Sequence, residues 1–195
     1  MFPWLDLLLA GVVAWGAVTG YLAGFKRALT RLCALIGALL ISLPFAGNCA
    51  VYLGPKLEPI FTAGFQDLAI TAGTASPLLG PWQDVLTIET ITGESLQLLI
   101  ALGVKVAALS FLMLTLLIAF RLLEKPKIPV SGAGGLAAGV LLGLATVIFF
   151  LAIAPVLVLG KAGAVLATAA GESWLARWLS PLVHALVHFL APFVL

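Results

Sequence analysis

GAGGLAAGVLLGLATVIFFLAIAPVLVL, residues 132–159, carries no charged side chain over 28 consecutive positions. About twenty apolar residues take a helix across a hydrocarbon core roughly 30 Å thick, so this stretch reads as a transmembrane helix. It also places Gly135, Gly139 and Gly143 at intervals of four. That spacing puts all three on one helix face, where a second backbone approaches closely.

Three further stretches, at about 4–25, 28–53 and 98–120, meet the same length criterion. The first is ended by Lys26 and Arg27, the second holds Pro44 as an expected kink, and the third is ended by Arg121. The first repeats the glycine pattern with Gly16, Gly20 and Gly24. Two such ladders in one small chain point to tight helix packing, either between spans one and four or across a dimer interface.

Composition agrees with this reading. The chain has 195 residues, 63% hydrophobic and 9% charged, with a mean hydropathy of +1.21. A water-soluble domain carries about 25% charged residues. So few charges cannot cover a soluble surface, which excludes a cytosolic enzyme, a nucleic-acid-binding domain and a secreted disulfide scaffold. The net charge of +2, with no basic run beyond Lys26 and Arg27, gives no footing for a nucleic acid partner. Cys33 and Cys49 lie sixteen positions apart. On one helix that is about 24 Å, beyond the roughly 7 Å a disulfide bridges, so both read as small apolar residues.

Lys and Arg distribution sets the expected orientation. Lys26, Arg27 and Arg31 lie in the first turn, and Arg121, Lys125 and Lys127 in the turn between spans three and four. The segment 54–97 sets Lys56 against Glu58, Asp67, Asp84, Glu89 and Glu94. The positive-inside rule puts both short turns in the cytoplasm, and both termini with 54–97 outside. The first charge is Asp6 and the basic residues follow the apolar run, so the first helix reads as uncleaved rather than as a signal peptide. The segment 54–97 mixes prolines and glycines with Phe61, Phe65, Leu68 and Ile70. It suits a surface-lying connector, with a short helix over 60–75 and a re-entrant loop as the alternative.

Residues 172–195 set Arg177, Ser180, Pro181, His184 and His188 on one stripe, with Trp174, Trp178, Leu182 and Phe189 among those covering the rest. This is the pattern of an amphipathic helix lying in the headgroup region. The expected fold is therefore all-α: a polytopic membrane protein with four transmembrane helices and a C-terminal interfacial helix, in one domain.

Few residues offer chemistry. His184 and His188 have the i, i+4 spacing of a metal-binding pair, but no further ligand accompanies them, so no metal or cofactor is expected. Lys105 lies about a third of the way into span three. It is a candidate intramembrane charge, or a side chain that snorkels outward toward Asp6 or Glu94. Asp6 is the other candidate intramembrane charge. The spans supply no catalytic set, and an enzyme is not expected.

The order of these features resembles the colicin V production protein family. The resemblance rests on Trp-Leu-Asp at 4–6, GAVTGYLAGFKRALTRLCALIGALL at 16–40, SGAGGLAAGVLLGL at 131–144 and SWLARWLSPLV at 173–183. Asp6, Gly20, Gly24 and Arg27 match the family's first-helix motif. The first turn lacks the family's glutamate, and Ser131 stands where its fourth helix often opens with arginine, which marks a divergent member. The resemblance implies a non-enzymatic protein of the bacterial inner membrane. It would support toxin production or secretion and envelope homeostasis through membrane partners or a second copy of itself. A small transporter or channel subunit is the alternative.

Overall fold

The computed structural model describes residues 4–72, 82, 93–123, 132–157 and 161–194. They form six helices: α1 (Trp4–Ala23), α2 (Phe25–Ala72), α3 (Gly93–Leu123), α4 (Ala133–Leu157), α5 (Lys161–Glu172) and α6 (Trp174–Val194). Among the described residues there is no strand. The chain is all-α, and four helices (α1 to α4) carry stretches long and apolar enough to cross a membrane.

The first boundary follows from one residue. Gly24 adopts φ 80°, a left-handed conformation that side-chain-bearing residues rarely take. Its N–H donates to the Gly20 carbonyl at 2.9 Å, closing α1, and its carbonyl accepts from Ala28 N–H at 3.0 Å, opening α2. A single glycine therefore ends one helix and starts the next.

α2 runs for 48 residues with Pro44, Pro55 and Pro59 inside it. At 1.5 Å per residue that is about 72 Å of helix path, more than twice the hydrocarbon thickness. The expected end of the second span near residue 53 is therefore not a helix end, and residues 54–72 of the expected connector belong to α2. The proline and glycine content argued for a loop there. Each proline removes only one backbone donor, however, and packing against a neighbouring helix tolerates that loss. Of the short helix expected over 60–75, the part to Ala72 is the end of α2. The rest, with residues 73–80 of the possible re-entrant segment, and the turn with Lys125 and Lys127 lie outside the described residues.

The bundle consists of two principal pairs, α1 with α4 and α2 with α3, joined chiefly where α4 also packs on α2. The core holds Leu5, Leu9, Leu43, Leu102, Val106, Leu109 and Val147, all buried. Large apolar side chains also face outward, among them Trp15, Phe45 and Phe111. On a soluble domain such continuous apolar surface would be a liability; on these helices it matches lipid.

α6 reaches back across the bundle, packing on α4 and α2. Leu179, Val183, Val187, Leu190 and Val194 form its buried stripe. Trp174, Trp178, Leu182, Phe189 and Phe193 form an exposed apolar stripe, and α6 is not among the helices that meet the spanning criterion. Two apolar stripes flank a polar one, so one apolar face of the helix is packed on the bundle and the other is left exposed.

Candidate functional site

The glycine ladders meet each other within the chain. A Cβ built on Gly16 would lie 2.6 Å from the Gly139 carbonyl oxygen and 3.0 Å from Gly143 Cα. One on Gly20 would lie 2.5 Å from Gly139 Cα and collide with the Gly135 carbonyl oxygen. One on Gly135 would meet Gly24 Cα at 3.0 Å, and one on Gly143 would meet Val13 Cα at 2.8 Å. The contacts advance along α1 as they retreat along α4, so the two helices run antiparallel with their backbones in contact. Only hydrogen fits on these positions. Of the two arrangements open from sequence, the ladders form the one between spans one and four. Gly24 adds its conformational role at the α1–α2 boundary.

At the opposite end of α1, Asp6 holds α6. Its Oδ1 accepts the Ser173 hydroxyl proton and the Leu175 N–H at 3.0 Å, while Oδ2 accepts the Trp174 N–H at 3.2 Å. Ser173 is fully buried, and its Oγ accepts from Ala176 N–H at 3.0 Å, the bond of a helix N-cap. α6 thus begins with two acceptors, a serine of its own and a carboxylate from α1. Negative charge there also complements the positive end of the helix dipole. Arg177, one turn into α6, donates from Nε to the Ser173 carbonyl at 3.4 Å and adds a favourable charge near Asp6.

Lys105 is half-buried on α3 between buried Val104 and Val106. Arg27, the remaining family-motif position, is half-buried in the first turn of α2. His184 bonds its own helix, Nδ1 donating to the Ser180 carbonyl at 2.8 Å, and His188 is exposed. Among the described residues no group of three or more His, Cys, Asp or Glu side chains comes together. Both cysteines are free thiols.

Two elements went unforeseen. Trp82 is fully buried, its indole N–H donating to the Ala152 carbonyl of α4 at 2.7 Å. It pins the α2–α3 connector to the end of α4, and a lone tryptophan after Pro77, Gly80 and Pro81 was the available signal. Ser173 was the other: a serine following Gly171 is an N-cap signal at a helix junction.

A groove of about 890 Å³ opens between α2, α3 and α4. Its walls are apolar, with Leu114, Leu117, Phe149 and Ile153 among them, and Arg31 and Arg121 line it. The hydroxyls lining it bond their own helices: Thr30 to the Lys26 carbonyl, Ser110 to Val106 and Thr146 to Leu142, each at 2.8 Å. Such back-bonding leaves the groove wall apolar.

No family model, curated protein or solved structure matches this chain.

Proposed function

We propose that this chain is a non-enzymatic protein of the bacterial inner membrane, of the colicin V production type. In this reading it supports toxin production or secretion and envelope homeostasis by binding membrane partners, either other proteins or a second copy of itself. Both termini and α6 face outward, and the end bearing Lys26, Arg27, Arg31 and Arg121 faces the cytoplasm, following the positive-inside rule.

The observation that carries this reading is the latched α6. Asp6 and Ser173 fix the start of that helix, and its exposed stripe from Trp174 to Phe193 presents the aromatic side chains of Trp174, Trp178, Phe189 and Phe193. Aromatic residues dominate binding surfaces because each buries a large area at low entropic cost. The glycine faces are consumed within the chain, so a partner has α6 and the outer faces of the spans to engage. The sequence resemblance at 16–40, 131–144 and 173–183 supplies the toxin and envelope assignment.

The test is genetic and quantitative. A cell making colicin V but lacking this chain should release less toxin and tolerate envelope stress poorly, and the wild-type chain should restore both. Unchanged release and unchanged stress tolerance would overturn the assignment.

The transporter or channel reading is favoured by the groove and by half-buried Lys105. It requires liposomes containing the purified chain to pass ions or small solutes, and tight liposomes would remove it.

A further inference from the structure

The groove between α2, α3 and α4 has a direction. On α4 its lining extends from Leu142 to Leu157, about 22 Å at 1.5 Å per residue. That exceeds the half-thickness of a hydrocarbon core, about 15 Å. Arg31 stands in the second turn of α2 and Arg121 in the last turn of α3, so both belong to the end of the groove at which α1 ends and α2 begins. The charged side chains of the described residues near that end, Lys26, Arg27, Arg31 and Arg121, are all basic.

We propose that this groove is a binding site for an anionic phospholipid. The lipid's phosphate sits at Arg31 and Arg121, and its acyl chains lie along Leu117, Phe149 and Ile153. Charge complementarity selects the occupant. An apolar trough alone accepts any lipid, whereas two guanidiniums at its mouth favour a headgroup with net negative charge and bind its phosphate by paired hydrogen bonds. The hydroxyls of Thr30, Ser110 and Thr146 are turned to their own backbones, so the walls offer acyl chains a surface without competing polar groups. A water-soluble anion would bind the arginines but leave the trough unfilled. The site stands apart from the partner-binding role of α6 and does not depend on it.

The experiment is native mass spectrometry of the full chain released from micelles holding equal amounts of phosphatidylglycerol and phosphatidylcholine with identical chains. The wild type should retain phosphatidylglycerol preferentially. Each of R31Q and R121Q should reduce that preference about fivefold, the contribution expected of one basic residue near a membrane surface, while R121K, which keeps the charge but not the paired hydrogen bonds, reduces it less than R121Q. T146W, which fills the groove from an exposed position on α4, should reduce retention of both lipids. Glycerol phosphate should not displace phosphatidylglycerol. Equal retention of the two lipids by the wild type would overturn the proposal. So would an undiminished preference in the double variant R31Q/R121Q, or displacement by glycerol phosphate.

Discussion

The carboxylate of Asp6, in the first turn of α1, accepts the hydroxyl proton of Ser173, 167 positions later, at the residue that caps α6. The contact joins the first turn of α1 to the start of the last described helix and fixes where that helix begins. It also gives the carboxylate at the start of an apolar helix a stated use: both of its oxygens receive hydrogen bonds from one helix terminus.

Removing either partner should loosen α6. S173A deletes the cap and should cost about 1 kcal/mol, read as faster amide exchange at 174–176 with the rest of the bundle unchanged. D6A should release the amides of Trp174 and Leu175, and D6N should restore them in part, because an amide oxygen still accepts. Unaltered exchange at 174–176 in both D6A and S173A would mean that the latch holds nothing.

The glycine seam should be intolerant of any side chain. G20L or G139L forces two backbones apart at a contact where even a Cβ has no room, and overpacking of this kind costs about 1–3 kcal/mol. The expected readout is an earlier unfolding midpoint in a denaturing-detergent titration. G11L, at a glycine with open space around it, should leave the midpoint in place.

Trp82 should behave as a clasp. W82F keeps most of the ring but leaves the Ala152 carbonyl without its indole donor, a loss of about 1 kcal/mol. W82A should cost about 3–5 kcal/mol through the cavity it leaves. Thermal unfolding in detergent separates the two.

Which of these features the sequence disclosed follows from how local each one is. Four spans follow from runs of apolar residues, and an unbroken 28-residue stretch at 132–159 needs no partner to be recognised. The glycine faces were legible because period four is a property of one helix; which face met which was not, since that depends on two helices distant in sequence. The length of α2 was hidden for the opposite reason. Pro55 and Pro59 signal a break locally, and only packing against α3 explains why the helix continues through them. Asp6 was visible as a charge in a span, but its use depends on Ser173 at the far end of the chain. The groove was invisible because its lining is drawn from three helices.

The central claim is a bundle whose basic end faces the cytoplasm and whose α6 lies on the outer surface. Thiol labelling in intact cells tests it most directly, using single cysteines H188C and K26C in a chain with Cys33 and Cys49 replaced by alanine. His188 and Lys26 are both exposed, and the account sets them on opposite sides of the membrane. A membrane-impermeant maleimide should label H188C in intact cells and K26C only after the membrane is opened. Labelling of K26C in intact cells, with H188C protected until the membrane is opened, would contradict the account by inverting the protein.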